Sequence, residues 1–426
     1  MNDRYDVVVV GSGSAGSSAA ITAARLGART LLVDRLPFLG GTSTAVLDTF
    51  YAFYTPGAQA RRVVGGIGWE VVERLKRTGM AFERPNTYGA GTGVTYDQEV
   101  LKVLWEQLAE EAGDELLLHT WATGVEQRDG QLTGIRMWNK GGASSVAAGV
   151  LIDASGDADL CAMAGVSYDD ARTTPNLQSL STIFRVANVD VEKAAAVPKT
   201  ELWAMMRGAA ASGEYRLPRL EGSWHRTPHP GVVTVHMTRI PNVDATDPEQ
   251  LTHAEIEGRR QVREYHRFLR DKVPGFGQSV LVATSPAIGV RESRRVIGDY
   301  RLTRDDVLNA CRFDDEIALC GAPIEDHAAG PDTRWTYVPE SGVYGIPYRC
   351  LLPKGVEGML VAGRCFSATH DAHASARSMA TCMEMGEAAG TAAALAAASG
   401  GTPRNVSVDA LRGRLREIGA LLNPAD

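Results

Sequence analysis

The segment GSGSAG, running from Gly11 to Gly16, constrains this chain more than any other stretch. It follows an apolar run, Tyr5–Val10, that reads as a buried strand, and it opens Ser14–Leu26, which reads as a helix. Thr30–Val33 then reads as a second strand, completing a βαβ unit of the kind that builds parallel sheets. Gly11 permits the tight turn, Gly13 lets a pyrophosphate approach the backbone, and Gly16 lets helix and strand pack closely. The turn residues Ser12, Ser14 and Ala15 add N–H groups at a helix end that carries partial positive charge. Asp34, followed by Arg35, ends the second strand, where a carboxylate can accept hydrogen bonds from ribose hydroxyls. Its charge would repel a 2′-phosphate, which disfavours NADP.

With 426 residues the chain can hold two domains, or one domain interrupted by another. Residues 57–93 read as a loop-rich excursion around one helix, Gly66–Thr78. Asp97–Ala112 is amphipathic at helical spacing, and Leu116–His119, Val125–Gln127, Gln131–Trp138 and Ala147–Asp153 read as strands. The middle has no glycine fingerprint. It offers strands at Leu180–Val189, Val232–Ile240 and Ser279–Ala283, with helical patterns over Val191–Ser212 and Thr252–Lys272. Later the chain returns to a short strand, Gly358–Val361, and an alanine-rich helix, Ala380–Ala398. The expected organisation is a nucleotide-binding domain built from 1–178 and 342–400. An α+β substrate or cap domain, 179–341, interrupts it, and a tail helix lies within 401–426.

Apolar residues make up 44%, charged residues 22%, and the net charge is -7, as in an ordinary globular protein. No basic stripe recommends nucleic acid or an anionic membrane as a partner. The N-terminal apolar run leads straight into glycines and reads as a strand, not a signal peptide. Gly390–Ala398 is too short to span a bilayer, so a cytoplasmic location is expected. The cysteines are scattered without a CxxC pair, which fits a reducing compartment. A homo-oligomer is compatible with all of this.

The fingerprint alone accommodates NAD or FAD. Gly40, Gly41 and Thr42, in LGGT, stand where FAD enzymes bring the chain back against the pyrophosphate. Leu151–Asp157 (LIDASGD) is an apolar strand ending in small residues and Asp157, and Met359–Cys365 (MLVAGRC) is a late strand ending in Gly363 and Arg364. The helix after it, with Ser378, Met379, Ala380 and Thr381 at its start, would point free N–H groups at the pyrimidine edge of a flavin. The stretches GVRESRR (Gly289–Arg295), YGIPYRCLLP (Tyr344–Pro353) and Leu360–Ala394 resemble the bacterial FAD-dependent oxidoreductase family, which is related to the fumarate reductase and succinate dehydrogenase flavoproteins. The resemblance covers nearly the whole chain. It implies FAD and an α/β fold with a Rossmann-like FAD-binding domain of glutathione-reductase type 2, carrying an inserted α+β domain. One departure is Arg364, where many such flavoproteins carry an acid that binds the ribitol.

A flavin handles the electrons, so the chain must supply a proton carrier and an anchor for substrate charge. THDAHASAR, read as a loop beside the flavin, offers His370, His373 and Arg377. One histidine could instead merely hold the loop, and no third ligand recommends a metal. In GVRESRR, strand alternation would send Arg291 and Arg295 to one face and Glu292 with Arg294 to the other. An anionic-substrate anchor and an internal ion-pair network are equally open there. Tyr344 and Tyr348 could line the pocket, while His225, His229 and His236 read as structural. With a single GxGxxG, electrons are expected to come from a substrate bound directly over the flavin and to leave to oxygen or another carrier. The expected reaction is oxidation of a small polar metabolite. Reduction of an activated C=C bond and a non-redox nucleotide-binding role are the alternatives.

Overall fold

The computed structural model describes residues 3–174, 177–327 and 330–423; the outermost residues of the expected first and last segments lie outside them. The opening unit forms as expected: β1 (Arg4–Val10), α1 (Ser14–Arg25) and β2 (Thr30–Val33). Helix α2 (Gln98–Ala112) starts where the Asp97 carboxylate accepts the Val100 N–H, and Gly113 stops it in a left-handed conformation. After it come β3 (Glu115–Leu117), β4 (Trp121–Arg128), β5 (Gln131–Asn139) and β6 (Gly142–Asp153). The sheet runs β3-β2-β1-β6-β5-β4. Strand β6 is long enough to serve two partners: its first half pairs antiparallel with β5, its second half parallel with β1.

The middle of the chain builds a separate antiparallel sheet. Its strands are β7 (Phe184–Ala187), β8 (Ser223–Arg226), β9 (Val233–His236) and, after α3 (Pro248–Lys272), β10 (Val280–Thr284), in the order β8-β9-β7-β10. Val262, Tyr265, Phe268 and Leu269 of α3 share a core with Phe184, Val233 and Val235 of this sheet. The helix begins before Thr252 because Asp247 caps it and Pro248 occupies its first turn. The helical pattern over Val191–Ser212 is split into Val191–Ala195 and Lys199–Ala211. Pro198 lies between them, and a proline offers no N–H to continue the ladder.

The last third contributes β11 (Ile324–Asp326), β12 (Met359–Val361), α4 (His370–Ala376), α5 (Met379–Ser399) and α6 (Val408–Glu417). The sequence THDAHASAR, expected as a loop, is mostly the helix α4. Its alanines favour helix, and no glycine or proline interrupts it. Strand β12 lies parallel to β6. In register, Val10 faces Val33 and Asp153, and Asp153 faces Val361. The loops after β1, β2, β6 and β12 therefore leave the sheet at one edge.

Helices α1 and α5 run parallel and touch through their backbones. A Cβ on Gly386 would sit 2.0 Å from the Ala15 carbonyl oxygen, and one on Gly390 would sit 2.2 Å from that of Ala19. Ala388, Ala389, Ala392, Ala393 and Ala396 of α5 are fully buried, so its apolar composition reflects the core. Among the described residues no helix is long and apolar enough to cross a membrane. Gly390→Val should push α5 off α1 and cost about 3 kcal/mol. A urea titration would show this as an earlier midpoint with an unchanged slope; an unchanged midpoint would rule out the close contact.

Candidate active site

The glycines of the turn divide by function. Gly11 has φ +94°, and a Cβ there would lie 2.4 Å from the Ala154 carbonyl oxygen; a Cβ on Gly16 would lie 1.7 Å from that of Gly11. Both are demanded by the fold. Gly13 is not: it has an ordinary φ of -62°, and an added Cβ would meet nothing within 4 Å. The space in front of Gly13 is open, at the start of α1, where an anion is best stabilised. The Ser14 hydroxyl beside it is buried without a partner among the described residues, an arrangement a phosphate oxygen would relieve. Gly40 donates its N–H to the Ser12 carbonyl at 2.7 Å, and a Cβ on Gly41 would lie 2.7 Å from the Gly13 Cα. The Gly40–Gly41 turn thus folds back onto the cradle, with Thr42 exposed just beyond it.

Asp34 is tied to this turn. Its Oδ2 accepts from the Ser12 N–H at 2.5 Å and the Ser12 hydroxyl at 2.7 Å, and its Oδ1 accepts from the Leu36 N–H at 2.7 Å. Oδ1, with one donor, keeps a lone pair for a ribose hydroxyl. Arg35 points to solvent.

The rear of the chain meets the front. Gly363, with φ +83°, packs so closely that a Cβ would lie 2.8 Å from the Ala15 Cβ. Arg364 pairs with Asp157 at 2.9 Å, and Ser293 donates to the same carboxylate at 2.6 Å. Burial would raise the Asp157 pKa, but Arg364 and Ser293 hold it below the usual carboxylate range. At the start of α5, Ser378 provides no side-chain cap, and the N–H groups of Met379, Ala380 and Thr381 have no acceptor among the described residues. At roughly 1.5 Å per residue, α5 begins about 10 Å before the point where it touches α1. The glycine cradle and a free helix N-terminus therefore lie along one side of the same helix pair.

His370 and Glu292 form the centre of a buried ion-pair network. The His370 Nδ1 lies 2.9 Å from Glu292, which also pairs with Arg295 at 2.8 Å. Burial opposes charge on His370, yet the carboxylates of Asp326 and Glu292 beside it push its pKa up to about 9. Glu292, against the same burial, is held down to about 2 by His370, His373 and Arg295. The direction of the His370 shift favours the charged imidazole, whose Nδ1 faces Glu292 while its Nε2 lies 3.2 Å from the Gln178 amide nitrogen. His373 is different. Burial lowers it to about 3, its Nε2–H donates to the Arg364 carbonyl at 2.7 Å, and its buried Nδ1 has no partner. It ties α4 to the Arg364 turn. Tyr344 is fully buried, with its hydroxyl 2.6 Å from the Ser375 Oγ, inside the core.

Residues 289–294 are irregular, so the expected strand alternation does not operate: Arg295 joins Glu292, not Arg291. Arg291 donates to the Ser179 carbonyl and the Ser181 hydroxyl, both at 2.8 Å. Among the described residues the Arg377 guanidinium reaches the Glu325 carbonyl, at 3.4 Å, and its buried Nε has no hydrogen-bond partner. Burial and the neighbouring Arg377, opposed by Glu325, bring Arg291 down to about 9, with Arg219 and Arg239 adding to the effect. Arg219, Arg239 and Glu325 were not singled out by sequence reasoning, because each is an isolated polar residue on a different segment. Asp48, His225 and His236 were likewise missed as a group; their ligating atoms lie within 4.8 Å of one another. Asp48 accepts from His225 at 2.8 Å and from the Thr234 hydroxyl at 2.5 Å. The fields of Arg219 and Arg84 reach His236 and oppose a metal cation there.

A family model described as FAD dependent oxidoreductase matches residues 6–415. Among curated proteins, the chain is 29% identical to a vinyl phenol reductase of Lactiplantibacillus plantarum over 32% of this chain and 34% of that one. It is 25% identical to a digeranylgeranylglycerophospholipid reductase of Methanosphaerula palustris over 49% of this chain and 54% of that one. The matched regions thus span a third to about half the length of those relatives. A geranylgeranyl bacteriochlorophyll reductase-like structure from Thermoplasma acidophilum aligns over 98% of this chain and 83% of that one, at 15% identity and TM-score 0.49.

Gly13→Val should fold like the parent yet bind FAD at least about tenfold more weakly, since only the ligand competes for that space. Parent-like flavin content in the purified variant would contradict the cradle assignment. The His370–Glu292 pair gives a second test. His370 is raised above its ordinary 6.5, so its contribution to stability is complete below that pH and is lost as pH rises through about 9. Glu292 is lowered from 4.5, so its contribution is lost only as pH falls toward about 2. Urea midpoints at pH 7 and 10 should differ in the parent by roughly 2 kcal/mol more than in His370→Asn. Equal alkaline losses would remove the pair as their source.

Proposed function

The chain belongs to the FAD-dependent oxidoreductase family and is an enzyme whose cofactor is FAD; we propose that it reduces an activated C=C bond of a small polar substrate held over the flavin. The observation that carries this reading is the convergence of the open Gly13 cradle, the free start of α5 and the charged side chains of α4 beside it. Its finer architecture is the glutathione-reductase type, with nucleotide-binding segments 1–178 and 342–400 and a cap, 179–341. The separate core of the β8-β9-β7-β10 sheet supports a distinct unit over the first part of that cap, while Leu302, Val307, Ile317 and Leu319 share the core of the nucleotide-binding segments.

In this reading the backbone of Gly11–Gly16 and the Ser14 hydroxyl hold the pyrophosphate, and Asp34 takes a ribose hydroxyl. Gly40, Gly41 and Thr42 close over the phosphates. Gly363 and the Asp157–Arg364 pair border the ribityl chain, and the N–H groups of Met379, Ala380 and Thr381 face the pyrimidine edge. When bound and reduced, FAD would supply the hydride that reduction of a double bond needs. His370, anchored by Glu292, gives the accompanying proton, and Arg377 with Arg291 orients the substrate. His373 acts as a positioning residue through the Arg364 carbonyl, since its low pKa makes it a poor base.

Sequence reasoning ranked oxidation of a metabolite first. The raised pKa of His370 supports the reductive order, because a protonated imidazole can donate the proton that reduction requires. The names of the relatives, both reductases, agree with this direction. The oxidative reading stays as the second one. It is favoured by the single glycine fingerprint, which offers no separate nicotinamide domain to reduce the flavin.

The purified protein should be yellow, with a band at about 450 nm. Chemically reduced holoenzyme mixed anaerobically with a panel of unsaturated acids should regain that band with at least one of them, while the saturated products should not bleach the oxidised form as fast. Reoxidation by no unsaturated compound, with rapid bleaching by an alcohol or amine, would establish the oxidative reading instead.

A further inference from the structure

Helix α3 separates charges that the sequence mixes. Glu255, Glu257 and Glu264 alternate with its arginines along the chain, so no basic run is legible there. At about 100° per residue, Ile256, Arg259, Arg260, Arg263, Arg267 and Arg270 fall within a stripe roughly 100° wide and about 21 Å long. All six are exposed. Arg259 pairs with Glu255 at 3.1 Å, Arg260 with Glu257 at 3.8 Å and Arg267 with Glu264 at 2.7 Å. The glutamates lie lower, on the flanks: the Glu257 side chain is 17% exposed against 69% for Arg260. Surface pairs of this kind contribute little, so a competing anion can displace them. Arg263 and Arg270 form no ion pair among the described residues.

An uncharged strand borders the stripe. The His266 ring meets the Ser279 hydroxyl at 3.1 Å, and Glu255 accepts the Ile288 N–H at 2.7 Å. His266 and Glu255 share the flank next to Arg259 and Arg270, so segment 279–288 runs beside that edge of the helix. Strand β10 is the outermost of its sheet, and Val280, Leu281 and Val282 are 48%, 40% and 58% exposed. Consecutive strand residues point to opposite faces, so neither face of this strand end is covered. No residue between Lys272 and Arg291 is charged, whereas edge strands are usually blunted by charge. A register shift against β7, between Arg185 and Val186, bends the edge instead and works against pairing with a strand of a second copy.

Aliphatic side chains standing beside guanidiniums are what an anionic lipid surface receives. Headgroup phosphates take paired, charge-assisted hydrogen bonds from arginine, and the aliphatic groups enter the boundary of the acyl region. We propose that the face formed by α3 and β10 docks on an anionic lipid surface. Arg259, Arg263 and Arg270 meet the phosphates, and Leu281 and Val282 insert beside them. The net charge of the chain is -7, so the attraction is confined to this face. The proposal goes beyond the flavin reading and does not depend on it.

Co-sedimentation of the purified protein with vesicles would test it. One set is phosphatidylcholine alone, the other equal parts phosphatidylcholine and phosphatidylglycerol. The protein should bind the anionic set about tenfold or more tightly, and added salt should shrink that margin. Arg263→Glu combined with Arg270→Glu, which breaks no ion pair, should remove most of it. Val282→Ser should weaken binding to the anionic set about threefold or more. Arg128→Glu, at an exposed arginine on β4, should leave binding unchanged. Equal binding to both vesicle sets, full binding by the double variant, or the same loss in Arg128→Glu would overturn the proposal. Dimerisation that Val282→Asp abolishes, without vesicle binding, would assign the face to a second copy and overturn it as well. The wild-type comparison decides even if a variant fails to fold.

Discussion

The level at which the parallel strands end governs the rest of the molecule. Val10, Val33, Asp153 and Val361 stand in register, so four loops drawn from distant parts of the chain leave the sheet side by side. A slip of one residue in β12 would turn Met359 and Val361 to the wrong face and move Gly363 away from Ala15. The glycine contacts between α1 and α5 fix the same arrangement from the helical layer. Because Gly386 and Gly390 let α5 lie directly on the backbone of α1, the start of α5 projects past the Gly11–Gly16 turn.

Charge is arranged in two different ways around that place. On one side, His370, Glu292 and Arg295 neutralise one another, so burial leaves them ionised and fixed. On the other, Arg219, Arg291 and Arg377 form no ion pair among the described residues, and the charge of Glu325 offsets part of their burial cost. The first arrangement stabilises the resting protein.

Reading by periodicity worked where the local pattern and the tertiary environment agree. The strand, turn and helix of residues 5–25, Asp34 at the end of β2, the returning Gly40–Gly41 turn and the late strand with its following helix were all legible. Errors arose where one residue overrode a pattern. Pro198 divides a helical stretch, Asp247 starts α3 early, and alanine propensity turns an expected loop into α4. Arg364 departs from the acid expected at its position, and Asp157, from another strand end, supplies a carboxylate beside it.

The sequence by itself determined that a glycine-rich βαβ unit opens the chain, because glycine spacing and strand hydrophobicity are local properties. It also carried enough of the late motif to indicate FAD. The roles of individual charged residues were decided only by tertiary structure. Nothing local distinguishes Arg295, which pairs with Glu292, from Arg291, which donates to Ser179 and Ser181, or His370, whose pKa is pushed up, from His373, whose pKa is pushed down. Those differences come from burial and from partners that are far away in sequence, and a pattern read along one chain does not contain them.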